Sequence, residues 1–189
     1  EHKLNKKLMP YLHLPIQSGS NKILKEMNRN YTKEEYIKII ENLKKARPDI
    51  ALTSDFIVGF PGESEKDFDD TMDVIKLLGF AGSYSFKYSP RPGTPASLIK
   101  NTVDERVTDK RLKIMQTELS KQQKDFNNSF IGKKLSVLIE KVGKKKNQYV
   151  GRSEYLQPIH LISKDSLVSK IVDVKIESIT AYSLHGKIN

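Results

Sequence analysis

Three times in the first half of the chain an apolar run breaks off into a loop of glycine, proline and small polar residues. Tyr11-Leu12-His13-Leu14 ends at Pro15 and gives way to Ile16-Gln17-Ser18-Gly19-Ser20. Ala51-Leu52-Thr53-Ser54-Asp55-Phe56-Ile57-Val58 ends at Gly59-Phe60-Pro61-Gly62-Glu63, and Tyr84-Ser85-Phe86-Lys87-Tyr88 at Ser89-Pro90-Arg91-Pro92-Gly93-Thr94-Pro95. Between the runs the apolar residues switch to helical spacing: Ile23, Leu24 and Met27; Tyr36, Ile40 and Leu43; Phe68, Met72, Ile75 and Leu78. Strand and helix alternating through short connections is the pattern of right-handed parallel crossovers. Three such units make half a barrel or half a doubly wound sheet. They cannot close a core alone, so the chain reads as cut from something longer. Ligands of such folds sit in the loops at the carboxyl ends of the strands, and the three loops are expected to form one rim around one ligand.

Thr32-Lys33-Glu34-Glu35 has the form of a capping box and opens a helix to about Arg47, which Pro48-Asp49 stops. Ser64 and Asp67 start the next helix. The second strand, 50–59, is apolar enough around Phe56 to be expected buried on both faces. A long helix is expected from Thr102 to about Ser129, with a narrow stripe of Leu112, Met115, Leu119, Phe126 and Phe130. Gly132 marks a boundary, dividing the chain into 1–130 and 131–189. Beyond it the apolar period becomes 2, with Leu135, Val137 and Ile139 alternating with polar residues. Further strands are expected near 148–152, 158–162, 167–176 and 178–188. Five short strands predict a small antiparallel β-barrel of the oligonucleotide-binding type.

The chain carries a net charge of +10. From Ile131 onward 11 Lys and Arg face 5 Asp and Glu, against 22 and 18 before it. Such a bias points to a polyanionic partner, nucleic acid before membrane. No apolar run approaches the ~20 residues that span a bilayer, and residues 1–7 carry no secretory signal. There is no cysteine, hence no thiolate nucleophile, disulfide or cysteine-ligated metal. His2, His13, His160 and His185 lack metal-ligand spacing, so no metal ligand is assigned.

The Gly59–Gly62 turn exposes backbone amides at a helix start, which suits a carboxylate, a phosphate or an adenine edge; it is equally an ordinary structural turn. Gln17 and Ser18 offer an amide and a hydroxyl. Asp55 and Arg91 are each a ligand contact or a surface ion pair. Dinucleotide-binding, phosphate-loop and serine-hydrolase motifs are absent. The residues give a binding rim without a catalyst of its own.

His13-Leu-Pro-Ile-Gln-Ser-Gly-Ser20, Met27-Asn-Arg-Asn-Tyr-Thr32, Asp55-Phe-Ile-Val-Gly-Phe-Pro-Gly-Glu63 and Tyr88-Ser-Pro-Arg-Pro-Gly-Thr-Pro-Ala96 together resemble the methylthiotransferases of the radical S-adenosylmethionine superfamily. The region from Ile131 resembles the TRAM domain, a small RNA-binding barrel. Within the family the first and last motifs look most like the branch acting on isopentenyladenosine in bacterial tRNA. The resemblance implies the C-terminal half of a radical barrel followed by a TRAM barrel, in a cytoplasmic tRNA-modifying transferase. It implies S-adenosylmethionine and two 4Fe–4S clusters in the full-length enzyme, an external reductant, and a tRNA anticodon stem-loop as substrate. A methylthio group would be added to C2 of the modified adenosine beside the anticodon, after a deoxyadenosyl radical abstracts the hydrogen there. The cysteines that hold the clusters are absent here, so this chain alone is expected to be inactive. By the resemblance, Gln17, Ser18, Asp55, Gly59, Pro61, Tyr88 and Arg91 line the S-adenosylmethionine side, and Arg29 meets a carboxylate. In the barrel, Lys133, Lys141, Lys144 and Arg152 are candidates for phosphate contact, and Tyr149 and Tyr155 for base stacking. The alternative is a cysteine-free RNA-binding module whose α/β part is a scaffold.

Overall fold

A computed structural model describes residues 1–5 and 7–188. The chain divides into two compact units, Leu12–Gln123 and Lys124–Asn189 with Glu1–Tyr11. The first contains β1 (Tyr11–His13), α1 (Asn21–Glu26), α2 (Lys33–Ala46), β2 (Ala51–Val58), α3 (Glu65–Leu78), β3 (Gly82–Lys87), a short 3-10 turn (Pro95–Leu98) and most of α4 (Glu105–Asn128). The strand order is β1-β2-β3. β2 and β3 pair in parallel, from Thr53 opposite Gly82 to Val58 opposite Lys87. The segment after β1 also runs parallel to β2, through a bridge between Gln17 and Phe56. The loops that follow the strands therefore emerge at one end of the sheet.

The expected capping boxes are formed. Glu35 N–H donates to Thr32 Oγ1 at 3.2 Å and Thr32 N–H returns to Glu35 Oε2 at 2.8 Å; Ser64 and Asp67 do the same for α3. α4 starts later than the sequence indicates, because Asp104 and not Thr102 caps it, accepting from the N–H groups of Arg106 and Val107. Lys44 at the end of α2 donates to the Leu78 carbonyl at the end of α3. Leu52, Phe56 and Val58 of β2 pack against Tyr36 and Ile40 of α2, Phe68, Met72 and Ile75 of α3, and Met115 and Leu119 of α4.

β2 is not buried on both faces as expected. Leu52, Ser54, Phe56 and Val58 are buried, whereas Thr53, Asp55 and Ile57 are half-buried. All the helices that cover the sheet lie on the side of Leu52 and Phe56; Ile57 is an apolar residue on the other side, and it masked the alternation.

In the second unit β4 (Lys134–Val142), β5 (Gln148–Ser153), β6 (Pro158–Ile162), β7 (Ile171–Ile179) and β8 (Leu184–Ile188) close a barrel in the order β4-β5-β6-β8-β7. Leu135, Val137, Ile139, Ile159, Leu161, Val174, Ile176 and Leu184 fill it, with Phe130 and Leu167. The barrel is not wholly antiparallel: β6 and β8 run parallel, Ile159 opposite Leu184 and His160 opposite His185. A closed ring with an odd number of strands must contain one such pair, since directions cannot alternate around it. The last two strands also divide later than expected. β7 continues through an irregularity between Ile176 and Ser178, and the reversal falls at Thr180–Ser183, where Thr180 N–H donates to the Ser183 carbonyl at 2.7 Å. Leu167 is buried in the core but precedes the strand. Among the described residues no helix is long and apolar enough to cross a membrane.

Candidate functional site

The loop after β1 is built around a missing donor. Pro15 has no N–H to give to β2, and Ser54 takes its place: its Oγ accepts from Ile16 N–H at 3.0 Å and donates to the Leu14 carbonyl at 2.9 Å. Backbone pairing then resumes at Gln17, whose N–H donates to the Asp55 carbonyl and whose carbonyl accepts from Ile57, both at 2.9 Å. Gln17 holds φ at +74°, a left-handed conformation that costs a side-chain-bearing residue roughly 1–2 kcal/mol. Such outliers concentrate at ligand sites. Beneath it Ser18 is fully buried, its hydroxyl 3.2 Å from Thr71 Oγ1. Gly19 lies so close to α3 that a Cβ there would be 2.5 Å from the Asp70 carbonyl oxygen and 2.6 Å from Thr71 Cα. Ser20 caps α1 and donates to Asp67 Oδ1 at 2.6 Å.

The face of the sheet that carries no helix bears chemistry. His13 of β1 places Nδ1 3.0 Å from Thr53 Oγ1 and Nε2 3.5 Å from Asp55 Oδ2. Asp55 Oδ1 is buried and has no hydrogen-bond partner. Register sets Tyr84 beside Asp55 and Phe86 beside Ile57. The two rings stack with centroids 6.3 Å apart and are 69% and 52% exposed. An aromatic pair beside an unsatisfied carboxylate is a surface built to meet something.

The Gly59–Gly62 turn fits the structural one of its two readings, because the amides of both glycines are bonded inside the fold. Gly59 N–H donates to Glu63 Oε1 at 3.2 Å, Gly62 N–H to the Asn101 carbonyl at 2.7 Å, and Glu63 N–H to the Phe60 carbonyl at 2.9 Å. Gly59 has φ +73°, and a Cβ there would meet Thr108 of α4 at 2.6 Å. Behind the turn Arg111 and Glu63 form a buried ion pair at 2.7 Å, and Arg111 reaches Glu65 at 3.0 Å. Burial pushes the Glu63 carboxyl up, against the pull of Gly59 N–H and Arg111 in the other direction. A cleft of about 320 Å³ opens between this turn, the segment after β3 and the start of α4, lined by Gly59, Pro61, Tyr88, Pro90, Thr102 and Thr108 among others. Tyr88 packs edge-on against Phe60 at 5.0 Å, and its hydroxyl is buried without a partner.

The eight residues expected to line one ligand thus fall in separate places. Asp55 stands at the open sheet face, and Gln17 in the loop after β1 pairs with Phe56. Gly59, Pro61 and Tyr88 line the cleft, on the helix-covered side of β3 with Lys87, which pairs with Asp109 at 2.7 Å and Glu105 at 3.5 Å. Ser18 is enclosed, and Arg29 and Arg91 are exposed. Sequence reasoning set His13 apart from the other histidines because of its loop, but missed Thr53, Tyr84, Phe86 and Arg111. The alternation Thr53-x-Asp55-x-Ile57 beside Tyr84-x-Phe86 carried the signal for the first group. Arg111 sits next to Leu112 in a charged helix and left none.

In the barrel, Lys141 and Lys144 are exposed at the β4–β5 hairpin with Lys145 and Lys146, and none has an acidic partner among the described residues. Lys133 holds its ammonium 5.4 Å over the Phe130 ring. Arg152 is engaged by Glu140 at 3.4 Å and by the Leu156 carbonyl at 3.1 Å. The two tyrosines are not free stacking platforms. Tyr155 packs on Phe130 at 4.8 Å and Phe126 at 6.0 Å, and Tyr149 is half-buried against the barrel core. Tyr182, in the β7–β8 turn, is the aromatic side chain left 80% exposed there.

A sheet whose strand-end loops emerge at one end and a closed five-stranded barrel make up the two units, and each resembles a known family. Residues 2–75 match the Radical SAM superfamily and residues 128–188 the TRAM domain. Each of the two parts is thus similar to one of these families. It is 49% identical over 188 residues to the tRNA-2-methylthio-N(6)-dimethylallyladenosine synthase of Rickettsia canadensis (strain McKiel), covering 99% of this chain and 42% of that protein. The identically named protein of Maricaulis maris (strain MCS10) is 51% identical over 182 residues, 96% of this chain and 40% of that protein. That of Rickettsia typhi (strain ATCC VR-144 / Wilmington) is 50% identical over 188 residues, 99% and 42%. The chain spans about two-fifths of the length of these curated relatives.

Proposed function

We propose that this chain is the C-terminal part of a cytoplasmic tRNA methylthiotransferase, with 1–130 belonging to the radical barrel and 131–189 forming the RNA-binding domain. The whole enzyme would add a methylthio group at C2 of the isopentenyl-modified adenosine beside the anticodon. The observation that carries this reading is the open sheet face. It holds an unsatisfied Asp55 oxygen, His13, and the strained Gln17 at its edge, in a chain about half identical to such synthases but much shorter than they are. Reading the chain as an RNA-binding module alone leaves that face without a purpose.

The residues fit the two expected groups differently. Gln17 and Asp55, with His13, offer amide, carboxylate and imidazole to S-adenosylmethionine, and Gly59, Pro61, Tyr88 and Arg91 would act on it through the loops around them. Ser18 would support the loop from beneath through Thr71, and the exposed Arg29 would meet a carboxylate. The iron–sulfur clusters do not fit this chain: it has no cysteine. Their ligands and the site of reduction by an external reductant would lie in the rest of the enzyme. When bound, S-adenosylmethionine supplies the radical chemistry; this chain's share is to bind, orient and shield. The barrel, through Lys133, Lys141, Lys144 and Arg152 with Tyr149 and Tyr155 shaping its surface, would hold the anticodon stem-loop. Two titrations test the reading. The isolated chain is expected to bind S-adenosylmethionine weakly by calorimetry, and to bind an RNA stem-loop with affinity that falls steeply with salt. Tight binding of the first, or salt-independent binding of the second, would count against it.

A further inference from the structure

The barrel's outer surface carries a feature that strand pairing alone does not favour. Lys134 of β4 lies directly opposite Lys175 of β7, and Lys175 directly opposite Lys187 of β8. All three are exposed, and their neighbours Leu135, Val174 and Ile176 point into the core, so the three ammoniums share the outer face. Adjacent strands are about 4.8 Å apart, which puts the three stems in one row about 10 Å wide. Like charges directly opposite each other destabilise a sheet. Glu177 relieves only one end of the row, through its pair with Lys187. Lys134 and Lys175 have no acidic partner within ion-pair distance among the described residues. Asp173 sits opposite Ser136 and not opposite either lysine.

We propose that Lys134, Lys175 and Lys187 form a track for an RNA phosphate backbone crossing β4, β7 and β8, separate from the lysines of the β4–β5 hairpin. The proposal rests on the RNA-binding reading of the barrel and assigns it a surface. A strand of consecutive phosphates neutralises all three ammoniums at once, which a single acidic side chain cannot do, and releases the condensed counterions of the RNA. A row running across the strands contacts backbone and reads no base edges, so it positions the RNA without choosing its sequence. Glu177 works against it by holding Lys187 and repelling phosphate.

The test is fluorescence anisotropy of the whole chain with a labelled RNA stem-loop across a salt series. Lys134→Gln and Lys175→Gln are each expected to weaken binding and to lower the steepness of log K against log salt by about 0.7–0.9. Glu177→Gln is expected to tighten binding. Lys113→Gln, on α4, leaves both quantities unchanged. Without RNA, Lys175→Gln is expected to melt higher than the parent chain, which also shows that it folds. If the parent binds RNA while Lys134→Gln and Lys175→Gln retain its affinity and salt slope, the track is wrong and the RNA-binding reading stands. If the parent fails to bind at low salt, both fall. Binding to phosphatidylserine vesicles that is lost in the lysine variants, with RNA binding intact, would overturn the assignment in favour of a lipid surface.

Discussion

Ser20 and Asp67 join the starts of two helices through one carboxylate. Ser20 Oγ caps α1 and donates to Asp67 Oδ1 at 2.6 Å, while Oδ2 of the same residue closes the capping box of α3 with Ser64 and receives Lys22 at 3.0 Å. The loop 13–20 is thereby fastened to α3 before any ligand arrives.

Burial would raise the Asp67 carboxyl, but the hydrogen bonds from Ser20 and Ser64 and the contact with Lys22 outweigh it and hold the group well below the usual carboxylate range. A depressed folded pKa stabilises above the unfolded value near 4 and is lost as pH falls toward the folded one. Asp67→Ala is expected to cost about 2–3 kcal/mol at pH 7 in urea unfolding of the α/β unit. Below pH 4 the difference between Asp67→Asn and the parent is expected to shrink.

Gly19 and Gly59 are fixed by different neighbours, and substitution separates them. Gly59→Ala meets the Thr108 side chain and strains a left-handed backbone, costing about 1–3 kcal/mol. Thr108→Ala is expected to recover the steric part. Gly19→Ala meets α3 backbone, so no single side-chain change is expected to rescue it. Thermal melts of Gly59→Ala, of Gly59→Ala with Thr108→Ala, and of Gly19→Ala check this.

Removing one partner of the Arg111–Glu63 pair leaves a buried charge. Arg111→Met is expected to destabilise by about 3–5 kcal/mol, and Glu63→Gln with Arg111→Met together by much less. Equal losses in the single and double variants would show that the pair does not act as a unit.

His160 stacks on His185 at 5.2 Å across the parallel β6–β8 pair. Burial, then the charge of His185, pushes its pKa down. The unfolded chain then binds the proton more readily than the folded barrel, so stability is expected to fall as pH drops through and below about 6.5. His160→Gln is expected to flatten that slope in denaturation curves taken between pH 8 and pH 5.

The helices and their caps were legible in the sequence because Thr32, Glu35, Ser64 and Asp67 act on backbone within four residues. The alternation of Leu135, Val137 and Ile139 likewise disclosed the barrel. The parallel β6–β8 pair was implicit in five strands closing a ring. What stayed hidden depends on contacts distant in the chain. Nothing near Gly62 indicates that Asn101 takes its amide. Nor does Tyr155 disclose that Phe126 and Phe130 claim its ring. The open face of β2 was obscured by one residue, Ile57, whose partner Phe86 lies 29 positions away.

Mass spectrometry of tRNA nucleosides tests the central claim most directly. The complete reading frame that contains this chain would be expressed in cells lacking the modification, and their tRNA digested and analysed. The account predicts that isopentenyladenosine is converted to its 2-methylthio form, and that the conversion is lost in Asp55→Ala with the protein still folded. Unconverted isopentenyladenosine beside folded, cluster-loaded protein would contradict it.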